Sequence, residues 1–118
     1  MNVMKIDHPG EPARVDGGFA SSVLLEHGQT KVRRIALAAG ARIPPCQMQE
    51  DVVFVVVTGR VTFHSEGEEA LVASPGAVFI PGGATTRSME AHEASLVVAV
   101  LCRCEVGTLD VNGGSTQL

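Results

Sequence analysis

The sequence predicts a single all-β domain of the barrel or sandwich type. About eight or nine short strand-like runs follow one another at close spacing, and Gly or Pro turns separate them. No amphipathic helical pattern interrupts these runs. The chain has 118 residues, which is enough for one hydrophobic core and too few for two.

The first two predicted strands span residues 21–26 and 30–38, with a turn at 27–29 between them. Side chains alternate between the two faces of a strand. In the second strand, one face carries Lys31, Arg33, Ile35 and Leu37, and the other carries Val32, Arg34 and Ala36. We therefore expect at least one arginine to share a face with core residues.

The centre and the end of the chain each contain a strand that is apolar on both faces, at 51–58 and 94–104. Between them lie predicted strands at 60–65, 68–73, 77–80 and 85–91. Pro44 and Pro45 exclude a helix before residue 51 and suit an edge or corner segment. A strand that is apolar on both faces needs two covers. One is the barrel interior, and we expect the other to be a second subunit, which makes the protein a homodimer.

The flanking segments are predicted to be irregular. Residues 1–18 are rich in Pro and Gly and form an N-terminal arm with a short strand around 14–16. Residues 105–118 are polar and Gly-rich and form a flexible tail. The barrel domain is therefore expected over residues 19–104.

Composition excludes several kinds of partner. The net charge is −4 and no basic stripe occurs, so we expect no nucleic-acid partner. No apolar run approaches the roughly 20 residues that span a bilayer, and no secretory h-region is present. We expect a cytoplasmic protein that does not bind membranes, in which the odd number of cysteines (3) are free thiols.

Two segments have the spacing of known motifs and resemble the cupin superfamily, whose members form an RmlC-like jelly roll. The first cupin motif is G-x5-H-x-H-x3-E-x6-G, and its frame is matched here by Gly40, Cys46, Met48, Val52 and Gly59. The second motif is G-x5-P-x-G-x2-H, and it is matched with one residue fewer before the proline by Gly76, Pro81, Gly83 and Thr86. The resemblance covers about residues 33–101 and implies a double-stranded β-helix, the cupin jelly-roll barrel.

The resemblance extends to the spacing of the motifs and not to their chemistry. In metal-binding cupins the two His, the Glu and the later His hold one divalent ion inside the barrel. The corresponding residues here are Cys46, Met48, Val52 and Thr86. Valine has no lone pair and threonine is a weak neutral ligand, so we expect no standard metal site and no cofactor.

Cys46, Met48 and Glu50 alternate and are expected to share one face. Two interpretations follow. The sulfur atoms could favour Cu(I) or Zn(II), or the two residues could fill space as adaptable apolar groups. Cys46 could also be a reactive thiol if a cation lies nearby. Cys102 and Cys104 are interpreted as small buried hydrophobic residues, with a shared metal as the alternative.

Arg33 and Arg34 are candidates for binding a carboxylate or phosphate, and the alternative is that they lie on a solvated strand face. Thr86 and Ser88 are expected to present hydroxyl groups to the cavity. The complete predicted cavity lining is Arg33, Arg34, Cys46, Met48, Glu50, Val52, Phe54, Thr86 and Ser88.

The function expected from these features is that of a barrel that binds a small anionic or polar ligand, or serves structurally, without catalysis. The alternative is a cupin enzyme of the dioxygenase, isomerase or decarboxylase type that uses Cys46 and Met48 as a soft-metal or thiol site. A regulatory subunit whose ligand shifts dimer association is a further possibility. No catalytic dyad is visible in the sequence, so the question of enzymatic activity stays open.

Overall fold

The computed structural model of the chain describes residues 1–6, 18–83 and 85–103. Most of the predicted N-terminal arm, including the short strand expected around 14–16, lies outside the described residues. The predicted tail at 105–118 and Cys104 also lie outside them.

Nine β-strands form the described domain. They are β1 (Phe19–His27), β2 (Thr30–Leu37), β3 (Arg42–Met48), β4 (Asp51–Thr58), β5 (Arg60–Ser65), β6 (Glu68–Ala73), β7 (Gly76–Ile80), β8 (Thr85–Ala91) and β9 (Ser95–Cys102). The described residues contain no α-helix. The predicted all-β class is confirmed, and the strands that follow β3 begin and end within two residues of their predicted bounds.

The strands form two antiparallel sheets that close into a jelly roll. The first sheet has five strands in the order β1-β2-β9-β4-β7, and the second has four in the order β3-β8-β5-β6. Each neighbouring pair is antiparallel. Because strands far apart in sequence become neighbours, residues from both halves of the chain meet between the two sheets.

The core lies between the inner faces of the sheets. On β4 the inward residues are Val52, Phe54 and Val56, and on β5 they are Val61 and Phe63. The rings of Phe54 and Phe63 stack across the two sheets with centroids 5.0 Å apart and planes inclined at 25°. These inward residues occupy alternate positions along each strand, as the alternation of side chains between the two faces of a strand predicts.

Strand β3 is regular at both ends and irregular in the middle. The register with β8 shifts between Ile43 and Cys46, where Pro44 and Pro45 lie. Proline cannot donate a ladder hydrogen bond, so it is tolerated on an edge strand, and β3 is an edge of the four-stranded sheet. The predicted edge segment is therefore a strand with a local irregularity at its two prolines.

The outer face of the five-stranded sheet is also apolar. Val32, Leu96 and Val98 on this face are buried, whereas Val100 and Phe79 are 37% and 57% exposed. No helix long and apolar enough to cross a membrane occurs in the part of the chain that the structure describes.

Candidate ligand-binding cavity

A cavity of about 370 Å³ opens between the two sheets. Apolar side chains from both sheets form most of its wall, and they are Phe19, Ile35, Ile43, Phe54, Met89, Ala99 and Leu101. Sulfur-containing and polar side chains complete the lining, and they are Ser21, Lys31, Arg33, Cys46, Met48, Glu50, Arg87 and Ser88. The cavity thus combines a mostly apolar wall with a charged region made of four side chains.

Positive charge dominates the charged region. Lys31, Arg33 and Arg87 carry three positive charges, and Glu50 is the one carboxylate among the described lining residues. Arg33 donates a hydrogen bond from Nε to the Oγ of Ser21 at 3.1 Å, which orients its guanidinium group. A region of this composition attracts anions.

Arg33 and Lys31 reach the cavity because of the alternation of β2. Both lie on the same face as Ile35, which is 7% exposed and belongs to the core. Lys31 Nζ lies 3.8 Å from Glu26 Oε2, an exposed ion pair that contributes little to stability. Lys31 therefore lines the cavity, and this weak ion pair is its only competing partner in the described part of the chain.

Arg87 is the most buried charged residue of the cavity, with 6% of its surface exposed. It lies on β8, and its Nε donates to the Oγ1 of Thr85 at 3.1 Å. Its Nη2 donates to the backbone oxygen of Pro81 at 3.1 Å and also to that of Glu50. Three neutral acceptors thus fix the plane of the guanidinium group.

The second terminal nitrogen of Arg87, Nη1, is buried and has no hydrogen-bond acceptor among the described residues. Leaving a buried donor unsatisfied costs about 1–3 kcal/mol, and more for a charged group. Burial lowers the pKa of Arg87, and the nearby carboxylates of Glu50 and Asp51 counteract this lowering. Because arginine starts from a very high pKa, it remains charged at neutral pH.

The turn between β3 and β4 and the turn between β7 and β8 meet around Arg87. The backbone N–H of Gly82 donates to Asp51 Oδ1 at 2.6 Å, and that of Gly83 donates to the oxygen of Gln49 at 3.1 Å. A Cβ atom at Gly82 would lie 2.0 Å from the oxygen of Gln49, so only glycine permits this approach. Arg87 bridges the same two turns through its bonds to Glu50 and Pro81.

Cys46 and Met48 lie on the cavity wall, as their alternation predicts. The Sγ of Cys46 donates a hydrogen bond to the Sδ of Met48 at 3.5 Å. Cys46 is an exposed free thiol, and Met48 is half-buried. The pair therefore forms a soft, polarisable part of the wall.

The residues of the cavity do not fit the divalent ion that the cupin motif implies. A thiol, a thioether and an alkyl group stand at Cys46, Met48 and Val52, and the charged guanidinium of Arg87 lies directly across the β3–β8 pair from Cys46. No group of three or more His, Cys, Asp or Glu side chains with the arrangement of a metal site occurs among the described residues. A hard cation would lack its oxygen and nitrogen ligands and would be repelled by Arg87.

The structure brings most of the predicted site residues together and separates three of them. Arg33, Cys46, Met48, Glu50, Phe54 and Ser88 all line the cavity. Val52 is 1% exposed and belongs to the core instead of the cavity wall. Arg34 lies on the opposite face of β2, where its cross-strand neighbour is Val98.

Thr86 also lies outside the cavity. It is exposed and borders a separate shallow groove with His64 and Glu66, and its backbone N–H donates to Glu66 Oε2 at 2.6 Å. The residue of β8 that points inward is its neighbour, Arg87. The expectation that Thr86 presents its hydroxyl to the cavity is therefore not met, because alternation along β8 turns it outward.

Cys102 requires a correction. It was expected to be a small buried hydrophobic residue, but it is an exposed free thiol. Cys102 is the last residue of β9 and lies beyond Val100 on the outer face of the sheet, where nothing in the described chain covers it.

Sequence reasoning missed Lys31 and Arg87. The signal for Lys31 was present, because it shares a face with Arg33 and Ile35 in the predicted alternation. Arg87 follows the position that the motif assigns to a histidine, and the motif therefore directs attention to Thr86 and away from it. The cross-strand pairing of Arg87 with Cys46 is what places it at the cavity.

Comparison of the structure with solved structures finds many matches of similar shape. An RmlC-like cupin from Shewanella frigidimarina is 14% identical, with coverage of 90% of this chain and 89% of that chain and a TM-score of 0.68. A protein described as a predicted oxalate decarboxylase from Thermotoga maritima is 17% identical, with coverage of 87% and 100% and a TM-score of 0.70. KdgF from a Halomonas species is 22% identical, with coverage of 78% and 86% and a TM-score of 0.67.

No protein-family profile matches the chain, and no curated protein matches it. The structural likenesses show that the chain has the RmlC-like cupin fold, in one domain of two antiparallel sheets. This confirms the fold that the motif spacing predicts. At these identities a neighbour's activity does not transfer with the fold.

Proposed function

We propose that this protein binds a small amphipathic molecule that carries an anionic group. The observation that carries the proposal is the convergence of Lys31, Arg33 and Arg87 on an apolar cavity. The apolar wall favours the body of such a ligand through burial, and the cations favour its charged end. Neither part of the cavity suits a hard metal ion.

The size of the cavity limits the ligand. Small-molecule pockets range over roughly 300–1,000 Å³, and this cavity of about 370 Å³ lies near the lower limit. Medium-chain fatty acids and simple aromatic acids are of suitable size and chemistry.

Matched pairs of acids and amides test this proposal directly. Octanoate and benzoate are compared with octanamide and benzamide by thermal unfolding of the purified protein. We expect the acids to raise the melting temperature more than the amides, because only the acids carry the charge that the cations of the cavity bind. A ligand at one hundred times its Kd stabilises the native state by about 2.7 kcal/mol. If none of the acids stabilises the protein, or if acids and amides act equally, the proposal is wrong.

A second candidate is a soft-metal site at Cys46 and Met48. The distance of 3.5 Å between their sulfur atoms favours it, because Cu(I) prefers thiolate and thioether ligands. The three nearby cations oppose it. Anaerobic titration with Cu(I) in the presence of a competing chelator distinguishes the two candidates. If the anion proposal is correct, the protein binds no stoichiometric copper. If wild type binds copper and Cys46→Ala does not, the result supports the soft-metal site and an enzyme that uses it.

We also propose a reducing cytoplasmic location, which free thiols favour. Cys46 and Cys102 are both unpaired, and exposed unpaired cysteines are typical of proteins kept in the presence of glutathione.

A further inference from the structure

We propose that the guanidinium of Arg87 takes the place that a divalent metal ion has in metal-binding cupins, and that it binds the carboxylate of the ligand. This inference rests on the proposed function and adds to it the residue that holds the charged end and the chemical class of that end. In this chain the central positive charge of the barrel would be supplied by a side chain.

The position of Arg87 supports this assignment. Cys46 stands where the first motif places its first histidine, and Arg87 is its direct cross-strand partner on β8. The guanidinium therefore lies across from a position that would otherwise hold a ligand of the ion. It also lines the cavity next to Cys46 and Met48.

The bonding of Arg87 leaves part of its charge available. Its acceptors are a hydroxyl and two backbone carbonyls, all of them neutral. Among the described residues, no carboxylate oxygen lies within ion-pair distance of it. Nη1 has no described acceptor at all, although it is buried and carries two N–H groups. The group is thus rigidly oriented and makes no direct ion pair among the described residues, although the carboxylates of Glu50 and Asp51 lie near it.

Access to Nη1 requires a small rearrangement, since this nitrogen is closed to solvent. Cys46 and Met48 face Arg87 and Thr85 across the β3–β8 pair. Their side chains are flexible, and the prolines that precede them already disturb the register of β3. We infer that a ligand oxygen reaches Nη1 as these sulfur-containing side chains move aside.

The same arrangement favours a monovalent carboxylate over a phosphate. One terminal nitrogen of Arg87 remains for the ligand, because Nε and Nη2 are already engaged. The apolar wall accommodates the rest of an organic acid.

The test measures the preference for acid over amide in single variants. Octanoate and octanamide are titrated calorimetrically into wild type, Arg87→Met, Arg87→Lys and Arg42→Met, all in the presence of EDTA. Arg42 is the control because it is an arginine of β3 that pairs with Glu90 at 3.4 Å outside the cavity. Circular dichroism and melting curves establish that each variant is folded.

We expect wild type and Arg42→Met to bind octanoate at least tenfold more tightly than octanamide. In Arg87→Met we expect this preference to disappear while octanamide still binds, and in Arg87→Lys we expect it to be partly retained. If Arg87→Met keeps the full preference, the inference is wrong and the proposed function stands. If wild type shows no preference, the proposed function itself fails.

A measurement on wild type guards against variants that do not fold. The side-chain 15N and 1H resonances of Arg87 are followed by NMR during titration with each compound. We expect octanoate to shift the Arg87 signals and octanamide to leave them nearly unchanged. Saturating octanoate without any change at Arg87 would overturn the inference independently of the variants.

Discussion

At the scale of single residues, Arg33 and Arg34 have opposite environments although they are neighbours in the sequence. Arg33 lines the cavity and bonds to Ser21, whereas Arg34 lies on the outer face across from Val98. Alternation along β2 alone accounts for this difference. The sequence predicts the two faces correctly, but it does not say which face meets the cavity.

The pair provides a matched experiment. We expect Arg33→Gln to weaken octanoate binding about tenfold, or ~1.4 kcal/mol, because it removes one charge from the cavity. Arg34→Gln removes the same charge from the opposite face and should leave binding within about twofold. Calorimetric titration of both variants gives the comparison, and equal losses would show that only the net charge of the protein matters.

The inward direction of the Arg87 side chain could not be predicted from the alternation of its strand. The motif aligns Thr86 with the ligand position, and the alternation expected from that alignment turns Arg87 outward. The inward direction of Arg87 depends on its pairing with Cys46 on one side and Ser65 on the other. Pairing of this kind joins distant parts of the chain, and no local pattern encodes it.

At the scale of elements, the contact between the β3–β4 and β7–β8 turns positions the charged end of the cavity. Two backbone donors, from Gly82 and Gly83, hold the turns together, and Arg87 bridges them. The strand bounds around these turns are predictable because Gly and Pro punctuate them. The contact between the turns is not, since it depends on the packing of the two sheets.

Gly82→Ala tests this contact. The added Cβ would meet the backbone oxygen of Gln49 at 2.0 Å, so the turns must separate. We expect a loss of about 1–3 kcal/mol in the free energy of unfolding and weaker octanoate binding.

Gly40→Ala is the control for this substitution. Gly40 has a φ of 82° and open space around its Cβ position. An alanine there would be strained by the left-handed backbone but would meet no neighbouring atom. We expect Gly40→Ala to lower stability by roughly 1 kcal/mol and to leave binding unchanged. Urea denaturation measures the stabilities, and an unaltered ligand affinity in Gly82→Ala would separate the turns from the function of the cavity.

At the scale of the whole molecule, the fold was predictable because several independent signals agree. The spacing of the first motif, the absence of helical periodicity and the doubly apolar strands β4 and β9 all indicate a jelly roll. What the sequence left open is the content of the cavity. The spacing of the motif identifies the architecture. Cys46, Met48 and Val52 stand at the positions that usually carry the chemistry, and they give no positive indication of a ligand.

The apolar outer face of the five-stranded sheet leads to a proposal about assembly. Val57, Phe79 and Val100 are 36%, 57% and 37% exposed on this face. We propose that a second copy of the chain covers it, because exposed apolar strands favour association and a shared face is self-complementary in a two-fold dimer.

Val100→Lys tests the dimer. We expect wild type to sediment as a dimer and Val100→Lys as a monomer in analytical ultracentrifugation, since a buried lysine without a partner opposes association. Leu71→Lys is the control, because Leu71 is 60% exposed on β6, in the other sheet. A monomeric wild type, or a dimer that withstands the Val100 substitution, would contradict the proposal.

Because Arg87 is bonded to the backbone of two turns, its positive charge is in place as soon as the chain has folded. A cation that is part of the polypeptide does not have to be delivered or inserted, and the protein does not compete with metalloproteins for it. We expect each newly synthesised copy to bind its ligand once folded, and iron or zinc starvation to leave this binding intact.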